Sequence, residues 1–145
     1  MPLSASEGPL PSTTNQAGKS IISVGGHQVE LTERRAGTTV VLAPAGRIDM
    51  ASADEFRERL IPLIGSAAAA GESVVLDFSA VDYISSAGLR VLMLAAKEAR
   101  SSGGRIAVAA LQPLVNEIFQ ISRFDKVVAC HVAVKDALAA VSAPA

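Results

Sequence analysis

The sequence predicts an α/β fold in which a small mixed sheet of four to five strands is covered by helices, and three observations lead there. Short apolar runs alternate with segments of helical period along most of the chain. Two of these runs, Val74-Val75-Leu76 and Ile106-Ala107-Val108, are unbroken by polar residues, as strands covered on both faces require. Half of the 145 residues are hydrophobic while aromatics make up 3% and Trp is absent, so the core is aliphatic, of the kind that fills helix-on-sheet layers. The length suits one domain and is too short for two.

Residues 1–26, rich in Ser, Pro, Gly and Thr, read as a flexible leader, and 27–145 as the folded domain. Inside the leader, Gly18-Lys19-Ser20 imitates the end of a phosphate-binding P-loop, but Thr13 stands where that motif needs its first glycine. Residues 27–33 alternate as an edge strand with one solvated face, a turn follows around Gly37, and 39–43 complete a hairpin. Ser52 and Glu55 have the spacing of a capping box, which starts a helix over about 53–69 with Phe56, Leu60, Leu63, Ile64 and Ala67 on one face. Pro62 should bend or break that helix, and Gly71 should stop it. Residues 73–78 form a central strand. After Ser85-Ser86, a helix carries Leu89, Leu92, Ala96 and Ala99 on one stripe and ends at Ser101-Ser102-Gly103-Gly104. A buried strand over 105–110, a helix opened by Pro113, a short strand over 127–129 and a closing helix over 134–141 complete the chain. The order implies a mostly parallel sheet with a mixed edge.

Composition removes several classes of function. Thirteen basic against fourteen acidic residues leave a net charge of −1, with no electrostatic footprint for nucleic acid. A single cysteine, Cys130, precludes an internal disulfide. There is neither a signal-peptide pattern nor an apolar run near the roughly 20 residues of a membrane span, so a soluble cytoplasmic protein without membrane insertion is expected. Ser86-Ala87-Gly88 matches the second half of a hydrolase elbow, but Ile84 occupies its first glycine position, and His27 and His131 are remote in sequence as bases. Cys130 and His131 have no second ligand cluster, so no metal or cofactor is expected, and Cys130 reads as a small buried hydrophobe. The chain is not expected to be an enzyme.

What remains is Ser85-Ser86-Ala87-Gly88 at a helix start. Serine is a preferred N-cap, which explains one serine and neither the other nor a glycine in the first turn. The glycine suggests a close approach to the backbone, and room there for a partner. Asp49 and Asp77 read as residues that cap loops or accept backbone hydrogen bonds, and Arg90 and Lys97 as a solvated helix face.

The stretch Val81 to Leu92, with the strand before it and Gly46-Arg47-Ile48-Asp49, resembles the STAS domains of bacterial anti-sigma-factor antagonists. Gly46, Ile48 and Asp49 match one family element, and Ser86, Gly88 and Leu89 match the other. Ser85 replaces the family's usual acidic residue and Ala87 its usual second hydroxyl. The resemblance implies a STAS-like fold and partner switching: the unphosphorylated protein binds an anti-sigma factor serine kinase, phosphorylation releases it, and a PP2C-type phosphatase reverses the mark. It implies Ser86 as the phosphorylated residue, with Ser85 a second candidate, and a partner-binding face of Asp49, Ser85, Ser86, Gly88, Leu89, Arg90 and Met93. The competing reading is a STAS regulatory subunit that docks on a membrane transporter or its ATPase without obligatory phosphorylation.

Overall fold

The computed structural model describes residues 19–24 and 27–142, with side chains from Glu30 onward. In chain order the elements are β1 (Lys19–Val24), β2 (His27–Ala36), β3 (Thr39–Ile48), α1 (Met50–Ala69), β4 (Ser73–Asp77), β5 (Ala80–Ile84), α2 (Ser86–Ser101), β6 (Ile106–Ala109), α3 (Pro113–Ile121), a 3-10 turn (Phe124–Lys126), β7 (Ala129–His131) and α4 (Val134–Ser142). The strands form one mixed sheet in the order β1-β2-β3-β4-β6-β7, with β5 paired to β3. β1 and β3 each run antiparallel to β2 between them, and every other pairing is parallel.

The α/β class is as the sequence predicts, but among the described residues the sheet has seven strands rather than four or five. Two short strands account for the difference. Lys19–Val24, expected in the leader, pairs with β2 from Lys19↔Thr32 to Val24↔His27, so β2 is an interior strand and not an edge. Its Ile21, Ile22 and Val24 suit a strand, but they are outnumbered by the surrounding Ser and Gly when composition is averaged. The rest of the expected leader, 1–18 with 25 and 26, lies outside the described residues. The second addition is β5, five residues that follow β4 after a bend at Phe78 and Ser79.

β3 is the spine. Its first half pairs with β4 (Thr39↔Ser73 to Leu42↔Leu76) and its second half with β5 (Ala45↔Ala80 to Ile48↔Ile84), while β2 lines its other edge. The β5 register shifts between Gly46 and Arg47, a bulge that Gly46 accommodates with φ of 108°, a backbone region open to glycine. Alternation along the strands divides the core. Leu42, Leu76 and Val108 face α1, α2 and α3, whereas Val41, Val75, Ala107 and Ala109 face α4 through Ala137 and Val141. Phe119 of α3 stands edge-on between Phe78 and Phe124, at 6.1 and 5.1 Å, and so ties the 3-10 turn to the sheet.

α1 starts three residues earlier than the Ser52–Glu55 pattern implied. Asp49 is its N-cap, and Ser52 is the third helical residue: the Asp49 carboxylate accepts from the Ser52 amide, and the Ser52 hydroxyl accepts from the Asp49 amide, at 3.1 and 3.0 Å. The helix runs unbroken through Pro62. Pro62 and Glu58, whose carbonyl loses its donor, both lie on the exposed face of the helix, where that loss is not a buried one. Gly71 ends α1 as expected, with φ of 75° and the paired bonds Gly71 N–H to Ala68 O and Glu72 N–H to Ala67 O. The last strand lies two residues beyond its expected place, at Ala129–His131.

Thr39 opens β3 fully buried, and its hydroxyl has no hydrogen-bond partner among the described residues. Thr39→Val keeps the shape and removes an uncompensated polar group, so it should stabilise the fold by about 1 kcal/mol. Urea unfolding checks this through a raised midpoint at unchanged slope.

Candidate functional site

The site is built where β3 and β5 end side by side. Ile48 pairs with Ile84, and the next amide, that of Ser85, donates to the Ile48 carbonyl at 2.8 Å. This bond holds Ser85 extended (φ −91°, ψ 173°) as the N-cap of α2, with its hydroxyl accepting from the Gly88 amide at 3.2 Å. Its carbonyl accepts the first helical bond, from the Leu89 amide at 2.9 Å. The two serines therefore have different tasks. Ser85 is the cap, and Ser86, the first helical residue, is exposed with its hydroxyl unbonded among the described residues.

Gly88 corrects an expectation. It is buried, and a Cβ built on it would lie 2.7 Å from Ile84 Cγ1 and 2.8 Å from Ile48 Cγ2. The close approach that the glycine permits is between α2 and the strand ends beneath it. It is not available as room for a partner.

Beside Ser86 lies a groove of about 260 Å³ lined by Ser86, Leu89, Arg90, Met93, Ser122 and Phe124. Four of the expected partner-face residues, Ser86, Leu89, Arg90 and Met93, thus share one surface. Met93 is 41% exposed and its neighbour Leu94 40%, an uncommon exposure for adjacent large apolar side chains. Asp49 and Ser85 are close by in the chain path but serve as caps. Asp49 also faces Arg47 at 3.5 Å, and the Arg47 guanidinium sits 4.2 Å over the Tyr83 ring. Ser122 and Phe124 escaped the sequence reading. Phe124 is held there by its edge-on contact with Phe119 and Ser122 by its place as the C-cap of α3, and no local pattern announces either as part of this groove. Farther along α2, a larger groove of about 660 Å³ opens toward α1, between Ile61, Pro62, Leu94 and Lys97.

The catalytic alternatives gain nothing from the geometry. His131 lines a separate cleft with Leu111, Asn116, Cys130 and Val132, which shares no residue with the Ser86 groove. Burial, and then the Asp125 carboxylate, push the Cys130 thiol up to about 11, the opposite of an activated nucleophile. Cys130 is half-buried rather than fully enclosed. Among the described residues no group of three His, Cys, Asp or Glu side chains could hold a metal ion, and no helix is long and apolar enough to cross a membrane.

The family model described as Mlab, STAS domain matches residues 31–129. A Bordetella bronchiseptica protein named as an anti-sigma factor antagonist, BtrV, is 36% identical over 97 residues, spanning 66% of this chain and 80% of that protein. Among solved structures, one described as an anti-sigma factor antagonist from Thermotoga maritima is 20% identical with a TM-score of 0.71, over 78% of this chain and 95% of that one. An anti-sigma factor antagonist from Mycobacterium paratuberculosis is 25% identical with a TM-score of 0.68, over 79% and 95%.

The division of labour between the serines is open to measurement. Ser85→Ala should lower stability by about 1 kcal/mol through loss of the cap, while Ser86→Ala should stay within about 0.5 kcal/mol of wild type in the same urea titration. Gly88→Ala should destabilise by about 1–3 kcal/mol, although alanine favours helix by up to roughly 1 kcal/mol, because the added methyl must displace Ile48 or Ile84.

Proposed function

This chain belongs to the STAS domain family, and on that premise we propose that it is an anti-sigma factor antagonist that works by partner switching, with Ser86 as the switch. One observation carries the reading. The helix is capped by Ser85, which leaves the Ser86 hydroxyl exposed on the rim of a groove with an apolar floor. Modification of Ser86 therefore need not cost the fold its cap.

Unphosphorylated, the protein binds an anti-sigma factor serine kinase through Ser86, Leu89, Arg90 and Met93, and the sigma factor is freed. Within that complex the Ser86 Oγ attacks the γ-phosphorus of ATP held by the kinase. The new Oγ–P bond forms as the bond to the β-phosphate bridging oxygen breaks, ADP leaves, and the hydroxyl proton passes to a base on the kinase. The phosphoryl group adds about −1.5 to −2 charges at neutral pH. At the start of α2 the helix dipole tolerates that charge, but enclosed between two proteins it is costly, so the complex separates without unfolding the domain. A PP2C-type phosphatase returns the serine by hydrolysis to inorganic phosphate. The chain is then a cytoplasmic regulator and not an enzyme. The 36% identical Bordetella protein, named as an antagonist of the same kind, supports this reading.

The test is calorimetric binding of wild type, Ser86→Ala and Ser86→Asp to the cognate anti-sigma kinase, with phosphopeptide mapping after ATP is added. Ser86→Ala should bind like wild type, Ser86→Asp should bind at least about 100-fold more weakly, an effect of several kcal/mol, and the phosphate should map to Ser86. Equal binding by Ser86→Asp overturns the proposal. So does a protein that stays unphosphorylated and instead co-purifies with a transporter ATPase, the outcome that docking on a transporter predicts.

A further inference from the structure

Arg90 lies four residues after Ser86, so the two side chains project from the same face of α2, one turn apart. Both are exposed and both line the 260 Å³ groove. Side chains on a helix lean toward its N-terminus, which directs the long Arg90 stem back toward Ser86. Arg90 has no ion-pair partner among the described residues, and the first turn of α2 contains no acidic residue. The carboxylate at the end of β3, Asp49, is committed to capping α1 and to Arg47. The start of α2 thus combines the positive end of a helix dipole with an unpaired cation, where a helix would ordinarily gain from an acid.

We propose that Arg90 is the built-in receptor for the phosphoryl group on Ser86. Once Ser86 is phosphorylated, the guanidinium pairs with the phosphate and is drawn across the mouth of the groove. The inference rests on Ser86 being the acceptor and adds a second half to the release step. Phosphorylation brings negative charge to the surface, and it also withdraws a cation and alters the groove beside Leu89 and Met93. Arg90 is here a positioning residue, acting through the phosphate. The ordering of the acidic group before the basic one, at i and i+4, is the orientation that stabilises helices.

The full chain with phosphoserine installed at position 86 during translation tests this without a kinase. A 31P NMR titration should place the second phosphate pKa roughly 0.2–0.4 unit lower in otherwise wild-type protein than in Arg90→Gln, because an adjacent cation favours the dianion. Arg90→Lys should recover part of that difference. The Arg90 Nε–H resonance should move on phosphorylation. Identical phosphate titrations in Arg90→Gln and wild type, or an Arg90 resonance that stays in place, overturn the receptor and leave partner switching untouched. Conversely, a cognate kinase that ignores Ser86 overturns partner switching even where the installed phosphate titrates as expected.

Discussion

The contact on which the rest depends is the seating of the first turn of α2 on Ile48 and Ile84. With a Cβ at position 88 the helix could not approach the strand ends to that distance, since 2.7 and 2.8 Å are far inside van der Waals contact. The approach brings the Ser85 amide to the Ile48 carbonyl and completes the cap, and the cap sets where the next hydroxyl points. Ser86 is therefore positioned by backbone and core, not by its own side-chain bonds. A group held this way can gain a phosphate with little change in the structure beneath it, because none of the bonds that place it passes through its oxygen.

β3 makes this seating possible by serving two partners in succession. Its early residues close the central parallel sheet with β4, and its late residues pair with β5 beyond the Gly46 bulge. Both helices that matter to the site then start from the same place, α1 directly after Ile48 and α2 directly after the residue that bonds to it. They are capped by different chemistry. α1 has the carboxylate of Asp49, which offsets the dipole and is held by Ser52 and Arg47, whereas α2 has the neutral hydroxyl of Ser85 and no acid in its first turn. The charge deficit at α2 is local, and it coincides with the exposed serine.

How legible each feature was in the sequence follows from how far its cause lies along the chain. Helix ends written in glycine were readable, because Gly71 and Gly103 take the left-handed conformations that L side chains avoid, at φ of 75° and 80°. Pro113 opens α3 for an equally local reason. The α1 start was misread because Ser52–Glu55 and Asp49–Ser52 both have box spacing. The end of β3 selects between them by fixing Asp49 where the chain leaves the sheet. Gly88 was correctly singled out as a close approach, but its partner was internal, which only the Ile48–Ile84 pairing could reveal. The groove was half legible: Ser86, Leu89, Arg90 and Met93 were implied by the family resemblance of one local stretch, while Ser122 and Phe124 come from about thirty residues away, where Phe124 packs edge-on against Phe119.

The family's usual acid is replaced by serine at position 85, and the geometry explains why this keeps the local structure intact. An N-cap needs a short side chain with an oxygen that accepts from the third helical amide, and serine and aspartate both provide one. What changes is charge. An aspartate cap would place a carboxylate one residue from any phosphate carried by Ser86, opposing it, while a serine cap makes the same hydrogen bond with Gly88 and carries no charge. The two hydroxyls are also not equivalent as acceptors of a phosphoryl group. Ser85 is half-buried and its hydroxyl oxygen already accepts from a backbone amide, so its modification would disturb the bond that caps the helix. The Ser86 oxygen bears no such bond and faces solvent. The second serine, surplus to helix capping, is thus the one whose exposed hydroxyl the cap does not use.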